Sequence, residues 1–85
     1  MPKLNRDIIR SNIEEAREEL QKIEATLARD EPIDPVWFQV SMQHAFHHLN
    51  FAWNARKWPM KRYEHLSKSD FDSAGNFPPD LAFED

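Results

Sequence analysis

The chain of 85 residues contains no cysteine and a single glycine, Gly75. Without cysteine there is no disulfide, no thiolate metal site and no cysteine nucleophile. With one glycine there is no glycine-rich loop to cradle phosphate groups, which argues against the common kinds of nucleotide binding. A chain of this size forms one small domain with a modest core, so oligomerisation or a metal held by histidine and carboxylate groups is the remaining means of stabilising it.

Long apolar runs are also missing, and the opening MPKLNRDII lacks the apolar segment of a secretory signal. We therefore expect a cytoplasmic protein that makes no contact with a membrane. Charged residues make up 31% of the chain and its formal net charge is −4. This balance is typical of a soluble globular protein and argues mildly against general nucleic-acid binding.

Residues 35–57 are predicted to form a long helix that carries most of the aromatic side chains. Asp34 is a good N-cap, Pro35 suits the first helical position, and the Trp58-Pro59 pair ends the helix. One apolar stripe at helical spacing consists of Phe38, Met42, Ala45, Leu49 and Ala52. A second stripe consists of Trp37, Val40, His44, His47, Phe51 and Ala55. Since one partner helix covers one stripe, this helix needs two neighbours.

A second long helix is predicted over residues 5–29, with Asn5 as its N-cap. Its apolar residues follow the four-and-three spacing of a bundle seam and are Ile9, Ile13, Ala16, Leu20, Ile23 and Leu27. Residues 30–33 are a turn of the length that joins antiparallel helices. We therefore expect a helical hairpin in which this seam, Leu20 included, is buried against the first stripe of the other helix, Leu49 included.

The rest of the chain has weaker signals. Residues 60–67 are predicted to form a short third helix, which completes a domain over residues 1–66. Residues 67–85 are rich in turn formers and acidic side chains, and we expect a loosely structured tail that is partly docked or disordered. The predicted fold is all-α, and two hairpins that pack face to face would make a four-helix bundle as a homodimer.

The face predicted for self-association is the second stripe of the long aromatic helix, because the hairpin leaves it uncovered. Its residues are Trp37, Val40, His44, His47, Phe51 and Ala55. No residue is predicted to be catalytic, and no cofactor is required. The leading hypothesis is a non-enzymatic protein–protein interaction or adaptor module that acts as a homo-oligomer, with the identity of a further protein partner open.

Two alternative functions depend on other groups of side chains. His44 and His48 are one helical turn apart, the spacing that presents two imidazoles to one divalent metal, as in a metal-binding protein or a metal-dependent hydrolase. Arg56, Lys57, Lys61 and Arg62 alternate with tryptophan and tyrosine, a mixture that binds anions or single-stranded nucleic acid. No further metal ligand is specified by the sequence.

The segment WFQVSMQHAFHHLNFAWNAR, together with FPPDL near the end of the chain, resembles small uncharacterised helical proteins encoded in bacterial genomes such as those of cyanobacteria. The resemblance covers the long aromatic helix and part of the tail. It implies a helical fold, and it implies no activity, cofactor or binding residue.

Overall fold

The computed structural model describes residues 3–81, and the regular elements of secondary structure in this part of the chain are all helices. Its helices are α1 (Arg6–Leu27), α2 (Pro35–Asn54), α3 (Met60–Glu64) and α4 (Lys68–Ala74). The two long helices pack against each other, which confirms the predicted all-α fold built on a pair of long helices. Within residues 3–81, no helix combines the length and the apolar character that crossing a bilayer requires.

Both long helices begin where the sequence predicts. The side chain of Asn5 accepts a hydrogen bond from the backbone N–H of Ile8, and that of Asp34 accepts one from Val36. Each bond satisfies one of the amide groups that lack a partner at a helix start. The helices end a few residues earlier than predicted, at Leu27 and Asn54.

The early end of α2 is explained by contacts with the start of α1. The backbone N–H of Asn5 donates to the carbonyl of Arg56 at 2.6 Å, and its side-chain amide donates to the carbonyl of Trp58 at 2.9 Å. Carbonyls that a longer α2 would direct along its own axis are therefore turned toward α1. One residue thus caps α1 and fixes the open end of the hairpin.

Several small side chains lie in the contact between α1 and α2. Ala16, Ala45 and Ala52 are buried, and residues of this size let two helices approach closely. The larger seam residues then lie along the edge of the contact, and Leu20 and Leu49 are 45% and 41% exposed. The prediction that these two leucines are buried in the hairpin is therefore wrong for the single chain.

The segment after Pro59 packs against the C-terminal half of α2 and the start of α1. A buried cluster joins the elements there and consists of Ile8, Phe51, Ala55 and Ala74. Trp58, Met60 and Tyr63 pack around this cluster. The third helix and the segment beyond it thus provide the second neighbour that α2 needs.

Two asparagines of α2 hold the C-terminal segment through its carbonyl groups. Asn50 donates its side-chain amide to the carbonyl of Gly75 at 2.8 Å. Asn54 donates to the carbonyls of Ala74 and Asn76 at 2.9 and 2.8 Å. The tail predicted over residues 67–85 was expected to be loosely structured and partly docked, and it contains the regular helix α4; its last residues, 82–85, lie outside the described part of the chain.

Candidate functional site

A pair of histidines on α2 faces α1 at the side of the hairpin. The Nε2 atoms of His44 and His48 are 3.1 Å apart, and their ring centroids are 4.8 Å apart. The Nδ1 atom of His44 lies 3.0 Å from a carboxylate oxygen of Glu19 on α1. The structure thus brings together the two histidines that the sequence singled out and adds a carboxylate from the first helix.

Asn12, which the sequence analysis did not select, completes this group. It is buried on α1, and its side-chain amide donates to the carbonyl of Ile8 at 2.9 Å and to the hydroxyl of Tyr63 at 3.2 Å. Its carbonyl oxygen lies 3.1 Å from Nδ1 of His48. A polar residue that interrupts the apolar side of α1 was the signal available in the sequence. We name Glu19, His44, His48 and Asn12 the histidine-pair site.

The fourth histidine of the chain lies apart from this site. His65 is the exposed C-cap residue of α3, and it belongs to none of the hydrogen bonds just described. Within residues 3–81 no group of three or more histidine, cysteine, aspartate or glutamate side chains is arranged to hold a metal ion. The side chains at the histidine-pair site therefore offer two imidazole ligands to a cation.

His47 points toward the C-terminal segment. Its ring lies 4.9 Å from the rings of both Phe51 and Phe71, and a Cβ atom on Gly75 would come within 3.1 Å of its Nδ1 atom. A side chain at position 75 would therefore crowd this ring, and glycine lets the backbone approach it closely. Burial, followed by the proximity of His48 and His44, lowers the pKa of His47 below 6.5.

We expect acid to destabilise the chain through His47. The unfolded chain takes up a proton on this residue near pH 6.5, whereas the folded chain does so only at lower pH. The contribution of His47 to the free energy of unfolding is therefore fully present above its unfolded pKa, and it is lost as the pH falls through its folded pKa. Thermal unfolding followed by circular dichroism between about pH 7.5 and about pH 5 measures the loss. His47→Gln should flatten the dependence of stability on pH, whereas the control variant His65→Gln should keep the wild-type slope.

Two residues of the predicted self-association face are covered within the chain. Phe51 and Ala55 are 2% and 0% exposed because α3 and the segment after it pack over them. They are therefore absent from the surface of the folded chain. Val40 and His44, further along the same stripe, are exposed, and Trp37 is half-buried.

The predicted anion-binding group is largely engaged by the chain itself. The guanidinium carbons of Arg56 and Arg62 lie 3.9 Å from the ring centroids of Trp53 and Trp58. Arg62 also pairs with Asp70 at 2.8 Å, and this contact lowers the pKa of that carboxyl group. Lys57 and Lys61 are exposed.

The same arrangement recurs at Arg56, whose guanidinium group lies 3.6 Å from Asp80. The indole N–H of Trp53 donates to Asp80 at 3.0 Å, and this bond, with Arg56 as a further cause, lowers the pKa of the carboxyl group. Carboxylates therefore occupy the positions beside both stacked arginines, where the phosphate groups of a nucleic acid would have to bind.

A surface of exposed apolar side chains lies where the sequence predicted the interior of the hairpin. Six large side chains on one side of α1 and α2 are between 39% and 55% exposed: Ile13, Leu20, Leu27, Phe38, Phe46 and Leu49. We name these six residues the apolar face. At one end it continues into a groove lined by apolar side chains that include Leu4, Ile9, Trp53 and Phe77.

Comparison of the chain with protein-family models, with curated proteins and with solved structures returned no match.

Proposed function

We propose that this protein functions by binding protein, as a non-enzymatic interaction module whose first partner is a second copy of itself. The observation that carries the proposal is the apolar face. With about 200 Å² for a fully exposed large side chain, the six residues together with Leu4 and Phe77 leave roughly 750 Å² open. A typical monomer has no apolar patch larger than about 300–600 Å². A stable interface takes about 800 Å² from each partner, which is close to what this face offers.

The charges beside the apolar face favour an antiparallel arrangement of two copies. A two-fold axis through Leu20 places Ile13 of one copy opposite Leu27 of the other, because both lie seven residues from position 20. Arg17 then lies beside Glu24 of the second copy, at the solvent-facing edge of the contact. Such pairs fix the register and orientation of helices more than they add affinity.

The second helix fits the same axis. Because His44 on α2 contacts Glu19 on α1, position 42 lies at about the height of Leu20. The axis therefore passes near Met42, and Phe38 of one copy packs against Phe46 of the other. The result is a four-helix bundle with an isologous interface, in which the same surface of each copy is used.

The first test of this proposal is the mass of the protein in solution. We expect sedimentation velocity to give a dimer that dissociates on dilution. Arg17→Glu should weaken the dimer because it places two acidic groups together, and the double variant with Glu24→Arg should restore it. A monomer at every concentration, or a dimer indifferent to both variants, contradicts the proposed interface.

A disulfide test reports the position of the axis directly. The chain has no cysteine, so Leu20→Cys introduces a single thiol that meets its own copy at the two-fold axis. Mild oxidation should link this variant into covalent dimers. Glu18→Cys, on the exposed side of α1, is the matched control and should stay largely unlinked. Equal linking of the two variants would show that the contact is made elsewhere.

A further inference from the structure

The hydrogen-bond partners of the histidine pair determine which nitrogen of each ring carries hydrogen. Nδ1 of His44 faces the carboxylate of Glu19 at 3.0 Å, and an ionised carboxylate only accepts hydrogen bonds. Nδ1 of His44 is therefore the N–H donor. In the neutral imidazole, Nε2 is then left with a lone pair and no hydrogen.

The same reasoning applies to His48 through Asn12. The NH₂ group of Asn12 donates to the carbonyl of Ile8, which has no hydrogen to give, so the orientation of the amide is fixed. Its oxygen is the atom that lies 3.1 Å from Nδ1 of His48. This nitrogen is therefore an N–H donor as well, and Nε2 of neutral His48 also has a bare lone pair.

Two lone pairs thus face each other across 3.1 Å, between His44 and His48. This contact is repulsive unless a positively charged species lies between the two nitrogens. Two nitrogens bound to one tetrahedral zinc ion at 2.0–2.1 Å are about 3.3 Å apart, close to the separation found here. We infer that His44 and His48 form a binding site for a divalent transition-metal ion, with Nε2 of each ring as a ligand.

The surroundings of the pair favour a bound cation. Burial, together with the neighbouring His44, lowers the pKa of His48, while the carboxylates of Glu15 and Glu19 act in the opposite direction. The ring of His47 packs edge-on against that of His48, and the amide of Asn12 is held by the hydroxyl of Tyr63. The carboxylates of Glu15 and Glu19 thus place negative charge beside the pair, which attracts a cation.

The chemistry of the donors selects the class of metal. Imidazole nitrogens suit zinc, copper and nickel, whereas magnesium and calcium prefer oxygen ligands. Glu19 and Asn12 hold the Nδ1 atoms, as carboxylate and carbonyl groups do for metal-binding histidines. Within residues 3–81 no third side chain completes the set, so water or an added ligand would take the other positions. The pair shares no residue with the apolar face, and the inference does not depend on self-association.

Isothermal titration with zinc chloride at about pH 7.5 tests this inference, because neutral imidazole is the form that binds metal. We expect one zinc ion per chain. His44→Ala should weaken binding at least tenfold, and since the side chain of His44 is 51% exposed, the variant should keep its fold. Glu19→Gln, which retains the size of the side chain and removes its charge, should weaken binding about tenfold, as loss of a group that orients a metal ligand does.

His65→Ala is the matched control, since it removes an exposed histidine that takes no part in the hydrogen bonds of the pair. It should bind zinc as the wild-type chain does. Zinc binding that is undiminished in His44→Ala, binding that is lost equally in His65→Ala, or no binding at millimolar zinc would each overturn the assignment. Circular dichroism of every variant distinguishes a lost ligand from a lost fold.

Discussion

Replacing Phe51 by alanine is expected to lower the free energy of unfolding by about 3–5 kcal/mol, the usual cost of removing a buried aromatic ring. Phe51 is 2% exposed, and its ring contacts those of Trp58, Tyr63 and Phe71 at centroid distances of 6.3, 6.4 and 5.7 Å. It is thus the side chain through which α2 holds the segment that follows Pro59. Its loss should also loosen α4, which is further attached by the asparagines of α2, by the Arg62–Asp70 pair and by the contact of Phe71 with His47.

Urea unfolding followed by circular dichroism measures this cost, and hydrogen exchange at the amides of α4 reports the release of that helix. Phe77→Ala is the matched control because Phe77 is 57% exposed, and it should cost about 1 kcal/mol or less. Equal costs for the two variants, or full protection of α4 in Phe51→Ala, would mean that the C-terminal segment does not depend on this ring.

The second large effect is expected at Ile23, three residues from Leu20 on the same helix. Ile23 is 5% exposed in the hairpin, so Ile23→Ala should cost about 2–5 kcal/mol. Leu20 is 45% exposed, so Leu20→Ala should cost the single chain only about 1 kcal/mol, because less apolar area returns to water. The comparison thus tests which edge of α1 faces α2.

The unfolding measurements must be made at a concentration at which sedimentation shows a monomer. At higher concentration the proposed dimer adds a distinct expectation: Leu20→Ala should raise its dissociation constant, because Leu20 lies on the two-fold axis. Ile23→Ala changes a residue at the contact between α1 and α2. It should therefore change the dissociation constant of the folded chains little, once the smaller fraction of folded monomer is taken into account. If Leu20→Ala costs as much as Ile23→Ala in the monomer, the hairpin has the register first predicted from the sequence.

The parts of the fold that the sequence predicted are those set by neighbouring residues. Asn5 and Asp34 act as N-caps within a few positions of the amides they bind, and Pro35 restricts its own backbone. The spacing of apolar residues in both helices then required them to pack. His44 and His48 were found for the same reason, since their separation follows from one turn of helix.

α4 was missed although a local signal was present. Ser67 accepts a hydrogen bond from the backbone N–H of Asp70, three residues later, and Asp70 lies in the first turn of the helix. A serine followed at this spacing by an acidic residue is a known mark of a helix start. The many turn-forming residues around it hid a helix of only 7 residues.

Which side of each long helix is covered was decided by contacts between residues distant in the chain. The sequence determined that α2 has two apolar sides and needs two neighbours, because this follows from the spacing of its own side chains. Only the tertiary structure decided that α3 and the segment after it cover Phe51, and that the apolar face stays open. The reason is physical: a cap or a helical stripe depends on a few adjacent residues, whereas bonds such as those from Asn5 to Trp58 and from Asn54 to Asn76 form only once the chain has folded back on itself.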